Sequence, residues 1–179
     1  EVEKPAQPKS VRVNAKPKGV AILEMNGDPT YPEILIIPEY EAQLWYLSLS
    51  PDGKWTNTLM GMPAPESRKK MDNAFLVDLD GDGDVDLTSP NIKDKAVSTL
   101  YLFRNDGHGK FKREVLFAGE PGWFERHAIA DVDGNGTPDV AIVNNQKGNL
   151  IWLSNPGGDG TKPWQRHVIT NNCPRAYDV

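Results

Sequence analysis

Short apolar runs separated by turn residues make up most of the chain. In its middle third these runs read AFLV, VDLTS, TLYLF and FKREVLF. An acidic loop lies between the first two runs, and a turn rich in Gly, Asn and Asp lies between the last two. Short alternating runs with such turns between them are typical of antiparallel strands. The pattern therefore predicts a unit of four strands.

The same unit occurs three times along the chain. VDLDGDGDVDL at 77–87 matches ADVDGNGTPDV at 130–140, with Asp80 and Asp133 lying 53 residues apart. A weaker copy, LEMNGDPTYPEIL, occupies 23–35. The flanks match as well, since equivalent third runs begin at Leu44, Leu100 and Leu150 and end their turns at Trp55, Phe111 and Trp164. A chance similarity between loops would not extend to their flanks, so the chain contains a true repeat.

Four antiparallel strands in a repeat of roughly 50 residues are typical of a β-propeller blade. We therefore predict an all-β fold of about three blades, with units at about 19–60, 73–118 and 124–170 and the start of a further unit at 174–179. Residues 1–18, rich in Pro and Lys, are predicted to be an N-terminal arm or linker. Because propellers usually have four to eight blades, we expect a piece of a larger propeller. A solenoid of parallel strands is the alternative, although its repeats are usually shorter.

The acidic loops carry the strongest chemical signal. Aspartates at alternate positions repel one another unless a cation lies among them. In the pattern D-x-D-G-D-G-x-x-D, side chains at positions 1, 3, 5 and 9 and the backbone carbonyl at position 7 can surround one ion. Oxygen ligands of this kind suit Ca²⁺. The predicted ligands in the second acidic loop (78–86) are Asp78, Asp80, Asp82 and Asp86, with the carbonyl of Asp84. Those in the third acidic loop (131–139) are Asp131, Asp133, Asn135 and Asp139, with the carbonyl of Thr137.

Two other kinds of loop share part of this pattern. An EF-hand needs a Glu at position 12 and flanking helices, but position 12 is Ser89 in one loop and Ile142 in the other. A solvated acidic turn without metal is the simplest alternative. The first acidic loop (24–33) keeps oxygen-bearing side chains, yet it contains Pro29 and is one residue longer. Whether that loop binds calcium stays open.

The units resemble FG-GAP/VCBS repeats, which occur in integrin α-subunit propellers and in many secreted bacterial proteins. The resemblance rests on DLDGDGDVD, DVDGNGTPD and the later NDGHGKF and NPGGDGTKPW segments, and it covers about residues 19–179. It implies a β-propeller with calcium in the loop joining the first two strands of a blade. It also implies an extracellular or periplasmic location.

Composition narrows the function only slightly. The formal net charge of −5 gives no reason to expect nucleic acid as a partner, and there is no apolar run of 18 residues to span a membrane. The motifs of nucleophilic catalysis, haem attachment and phosphate binding are missing from the sequence, so we assign no catalytic residue. Among other candidates, His127 is predicted to pack at a strand end, and Trp123 is the tryptophan most free to contact a ligand.

We expect a secreted or periplasmic, calcium-stabilised propeller module that recognises a glycan or protein. Alternatives are part of a propeller-based enzyme acting on carbohydrate, of the lyase or dehydratase type, and a structural spacer of a surface protein. The remaining blades, or other chains, are expected partners that close the ring.

Overall fold

The computed structural model describes residues 17–38, 44–61, 74–91, 98–118, 121–157 and 162–175. The first 16 residues of the predicted arm and residues 176–179 of the predicted further unit lie outside these ranges. The described residues form the β-strands β1 Pro17–Leu23, β2 Glu33–Pro38, β3 Leu44–Leu49, β4 Trp55–Gly61, β5 Phe75–Val77, β6 Asp86–Asn91, β7 Thr99–Asn105, β8 Phe111–Ala118, β9 Phe124–Ala130, β10 Asp139–Asn144, β11 Asn149–Ser154 and β12 Gln165–Thr170.

The strands form three separate four-stranded sheets, each running in chain order. We name them blade 1 (β1–β4), blade 2 (β5–β8) and blade 3 (β9–β12). Every pairing within them is antiparallel. The predicted all-β fold of four-stranded blades is confirmed, and a solenoid of parallel strands is excluded. No helix occurs in the part of the chain that the structure describes, and hence none that could cross a membrane.

Strand register makes the three blades directly comparable. The second strand of each blade begins with the last residue of its acidic loop: Glu33, Asp86 or Asp139. The next residue pairs with the third strand, as Ile34 with Leu47, Leu87 with Phe103 and Val140 with Leu153. Equivalent residues of different blades are identified below from this register.

Apolar side chains fill the spaces between neighbouring blades. One core cluster joins Leu35, Ile37 and Tyr46 of blade 1, together with Met25, to Leu87, Tyr101 and Phe103 of blade 2. A second cluster joins Leu100 of blade 2 to Phe124, Val140, Ile142, Ile151 and Leu153 of blade 3. Removal of these surfaces from water is the main force that holds each blade against the next.

His127 lies between blades 2 and 3 and is buried, so its predicted packing role is confirmed, although it lies in the middle of β9 and not at a strand end. Its Nε2 atom is 2.7 Å from the hydroxyl oxygen of Thr88 in blade 2, and its ring meets Phe75 edge-on with centroids 4.8 Å apart. Burial lowers the pKa of His127 to about 3. The imidazole is therefore neutral at physiological pH and serves as a packing residue of the blade interface.

Candidate metal centres

The second and third acidic loops each connect the first two strands of a blade, at the same end of blades 2 and 3. Each loop turns sharply at two glycines with positive φ angles, 79° and 95° at Gly81 and Gly83 and 75° and 87° at Gly134 and Gly136. Backbone of this left-handed kind strains any residue with a Cβ atom, which is why the motif needs glycine there. The turns let the side chains at positions 1, 3 and 9 of each loop approach one another.

Three carboxylates converge in each loop. One oxygen from each of Asp78, Asp80 and Asp86 lies within 4.8 Å of the others, and Asp131, Asp133 and Asp139 form the equivalent group. These are positions 1, 3 and 9 of the predicted ligand pattern. The carboxylate of Asp82 at position 5 is not part of the first group. The structure therefore assembles three of the four predicted side-chain ligands in the second acidic loop.

The carboxylate at position 1 organises the loop backbone. Asp78 accepts hydrogen bonds from the amides of Gly81 (2.7 Å) and Gly83 (3.0 Å). Asp131 does the same for Gly134 (2.8 Å) and Gly136 (2.9 Å). These bonds hold the loop curved around the point where the carboxylates meet.

The side chains at positions 3 and 5 each accept a hydrogen bond from the amide two residues later. In the second acidic loop these bonds are Asp82 N to Asp80 Oδ1 (3.3 Å) and Asp84 N to Asp82 Oδ1 (2.9 Å). In the third, Asn135 also donates from Nδ2 to the carbonyl of Asn155, at 3.1 Å. Asn135 and Asp82 are thus placed at the rim, in local turns typical of Asx residues.

The carboxylate at position 9 is buried in both loops. Asp86 accepts backbone hydrogen bonds from Leu79 (3.2 Å) and Asn105 (2.9 Å), and Asp139 accepts them from Val132 (2.9 Å) and Asn155 (2.7 Å). Burial raises the pKa of the Asp86 carboxyl to about 6. A buried carboxylate is costly unless opposite charge compensates it, and a bound cation would supply that charge.

The residue at position 7 is predicted to bind calcium through its backbone carbonyl. Its side chain packs against the hairpin between the third and fourth strands. A Cβ atom at Gly107 would lie 2.4 Å from Oδ2 of Asp84, and one at Gly157 would lie 2.9 Å from Cγ2 of Thr137. Both glycines also have positive φ angles, 72° and 70°. The hairpins therefore need glycine both for their turn and for close approach to the loop.

The first acidic loop has similar hydrogen bonds but no equivalent carboxylate group. Asn26 Oδ1 accepts from the amide of Asp28 (2.7 Å), and Asp28 Oδ1 accepts from that of Thr30 (3.0 Å). Glu33 at its end is buried, which raises the pKa of its carboxyl, and accepts from the amide of Met25 (2.8 Å). No group of three metal-binding side chains is found there among the described residues.

Sequence reasoning missed two pairs of residues that touch these loops. Arg104 pairs with the carboxylate of Asp80, and Ser154 at the equivalent position donates to Asp133 Oδ2 at 2.9 Å. The residues that follow them, Asn105 and Asn155, donate backbone amides to position 9. The signal was present in the sequence as RN and SN at equal positions at the ends of the third strands.

The donor set fits a hard divalent cation. Three carboxylates meet at one point, one of them is buried, and further oxygens lie at positions 5 and 7 of the same loop. Oxygen ligands in a flexible loop are what Ca²⁺ accepts most readily. Because one compact loop supplies all these oxygens, the arrangement suits structural neutralisation of charge by a bound cation.

Comparison with known protein families identifies the repeat. A family model described as an FG-GAP-like repeat matches residues 78–142, a span that contains both the second and third acidic loops. No curated protein matches the chain. The matched span begins at position 1 of one loop and ends three residues after position 9 of the next, so it follows the repeat seen in the strands. The chain therefore carries an FG-GAP-like repeat, on blades 2 and 3 of an all-β, propeller-like fold.

Proposed function

We propose that this chain is a calcium-stabilised β-propeller module that acts outside the cytoplasm in recognition of a glycan or protein ligand. The observation that carries the proposal is the pair of convergent carboxylate groups at equivalent positions of an FG-GAP-like repeat. Repeats of this family often bind calcium. A calcium site of modest affinity works where free calcium is near millimolar, which supports an extracellular or periplasmic location.

Calcium should stabilise the fold, and this is the direct test. We expect two Ca²⁺ ions per chain and a melting temperature that falls in EGTA. A ligand present at a hundred times its dissociation constant adds about 2.7 kcal/mol. For a chain of this size each filled site would then raise the melting temperature by roughly 5–10 °C. Elemental analysis after dialysis gives the stoichiometry, and scanning calorimetry gives the shift.

Magnesium at the same concentration is the control, because it demands stricter octahedral geometry and should stabilise less. Protein without bound calcium after dialysis, together with a melting temperature that EGTA leaves unchanged, would contradict the proposal.

A groove between blades 2 and 3 is the place where a ligand would contact the chain. It has a volume of about 370 Å³, and its lining includes Trp164, Phe117, Arg104, Lys162 and Arg166. An aromatic ring beside several cationic side chains can bind a ligand through both stacking and charge. The groove supports recognition as the role, and the class of ligand is left between glycan and protein.

The outer faces of blades 1 and 3 favour further repeat units as binding partners. On blade 1, Val20 and Ile22 are 62% and 71% exposed. Val20 lies beside Ile36 and Trp45 across the neighbouring strands, and Ile22 lies beside Ile34 and Leu47. In blades 2 and 3 the equivalent second- and third-strand residues that are described, such as Leu87 and Val140, are buried against the preceding blade. We therefore propose that another blade covers this face.

The opposite outer face, on blade 3, also has the features of a surface that a further blade would cover. At position 2 of the loops, Met25 and Leu79 are 1% and 2% exposed, because the next blade covers them, whereas Val132 is 49% exposed. The carbonyls of Met25 and Leu79 accept side-chain hydrogen bonds from Asn105 (2.9 Å) and Asn155 (2.8 Å) of the next blade. No equivalent asparagine among the described residues reaches Val132. The matching partner is a blade with asparagine at the end of its third strand.

The 179-residue chain alone should self-associate, since two apolar blade faces are open to water. Light scattering over a range of concentrations should show species larger than a monomer, and Ile22→Lys should shift them toward the monomer. Val115→Lys is the matched control, because Val115 in the middle blade is 59% exposed and lies on neither outer face. A compact monomer at every concentration would contradict the proposed partner blades.

A further inference from the structure

The second and third acidic loops differ at one contact of the position 3 carboxylate. The guanidinium of Arg104 pairs with Asp80 through Nη1. At the equivalent place in blade 3, the neutral hydroxyl of Ser154 donates to Asp133 at 2.9 Å. The register fixes this equivalence, because each residue follows the one that pairs with Leu87 or Val140. One loop thus has an internal cation where the other has none.

The two loops also differ in their negative charge, which bears on the role of Arg104. The second acidic loop has carboxylates at positions 1, 3, 5, 7 and 9, whereas the third has asparagine at position 5 and threonine at position 7. With Arg104 counted, five carboxylates and one guanidinium give the second loop a formal charge of −4, and three carboxylates give the third −3. Arg104 therefore offsets one of the two additional carboxylates when the loop holds no metal, and the less acidic third loop has a neutral serine at that place.

We infer that Arg104 is a built-in competitor of calcium at the second acidic loop and lowers the affinity of that loop for calcium. This inference rests on the proposed calcium binding. A calcium ion bound to Asp80 would lie close to the guanidinium, and like charges repel. Arg104 must therefore move or weaken the binding, and either outcome lowers calcium affinity.

Glu114 gives the displaced guanidinium a second partner. Its Oε2 atom is 3.5 Å from Nη2 of Arg104, and its Oε1 atom is 2.8 Å from Nζ of Lys112. Both Arg104 and Glu114 are partly exposed and line the groove between blades 2 and 3. Calcium can thus release Arg104 from Asp80 without leaving the guanidinium unpaired. By the same argument, removal of the charge of Glu114 strengthens the hold of Arg104 on Asp80.

The test exchanges the two equivalent residues. Calorimetric calcium titration in an Asp131→Ala background reports the second acidic loop alone, and an Asp78→Ala background reports the third. Arg104→Ser should raise calcium affinity of the second acidic loop about tenfold, and Ser154→Arg should lower that of the third by about as much, as expected for gain or loss of one nearby charge. Glu114→Gln should lower calcium affinity of the second loop, opposite in sign to Arg104→Ser.

Thermal stability gives an independent readout. In EGTA, Arg104→Ser should lower the melting temperature, because it removes the only charge that offsets those carboxylates among the described contacts of the loop. In millimolar calcium the loss should shrink or reverse. If two ions bind but Arg104→Ser changes the calcium affinity of the second acidic loop by less than twofold, or lowers it, the inference is overturned while the proposed function stands. If no variant binds calcium, both the inference and the proposed function fail.

Discussion

Asp139→Ala should destabilise the protein strongly even in EGTA, by about 3 kcal/mol, since it strips the acceptor from two backbone amides. Those amides belong to Val132, at 2.9 Å, and Asn155, at 2.7 Å, and the Asp139 side chain that joins them is buried. The first amide lies in the loop and the second at the end of the third strand. The carboxylate thus ties the loop to the sheet before any metal binds. A fall of roughly 6–12 °C in melting temperature is expected.

Asp133→Ala is the matched control, because Asp133 belongs to the same carboxylate group but is exposed. In EGTA its removal should cost less than about 1 kcal/mol, since one repelling charge is lost together with its hydrogen bonds. In calcium both variants should lose the stabilisation that the ion provides. Scanning calorimetry of both proteins in both buffers measures this. Equal losses for the two variants in EGTA would show that position 9 has no structural role of its own.

The repeat allowed the blades and their loops to be predicted from sequence. Apolar alternation in TLYLF and NLIWL predicted strands that the structure places at β7 and β11, and DGDG and DGNG predicted turns that need positive φ angles. Both signals are local, since a strand or a turn depends on residues close together in the chain. The weak first copy was found from its loop and supported by its flanks, and β1–β4 form the same kind of four-stranded sheet there.

The polar contacts between blades could not be predicted in the same way. Asn155 reaches the carbonyl of Leu79, 76 residues earlier in the chain, and Asn105 reaches that of Met25, 80 residues earlier. Sequence spacing shows that the two asparagines are equivalent, but not which carbonyl each one meets. His167 is partly buried and stacks on Trp152 of the neighbouring strand, with ring centroids 4.3 Å apart. Cross-strand stacking of that kind depends on register, which the repeat does not specify.

The contact between Asn155 and Leu79 suggests that each asparagine locks its blade to the acidic loop of the blade before it. Nδ2 of Asn155 donates to the carbonyl of Leu79 at 2.8 Å and to that of Pro138 at 3.0 Å, and Oδ1 accepts from the amide of Gly157 at 3.0 Å. Leu79 lies between the calcium ligands Asp78 and Asp80 proposed above. The side chain of Asn155 therefore links the second acidic loop to the third.

Asn155→Leu should lower the free energy of unfolding by about 2–4 kcal/mol, because it leaves these buried backbone groups without partners. Leucine is a fair replacement, since Leu49 occupies the equivalent position in blade 1. Asn105→Leu should cost less, because the Asn105 side chain donates to a single carbonyl, that of Met25. Leu49→Asn, where no earlier blade is present among the described residues, should change stability by less than about 1 kcal/mol. Urea unfolding followed by tryptophan fluorescence ranks the three variants, with an unchanged m-value as the sign that unfolding stays cooperative. If Asn155→Leu costs no more than Leu49→Asn, the asparagine does not lock the blades together, and apolar packing alone must hold blade 3 in place.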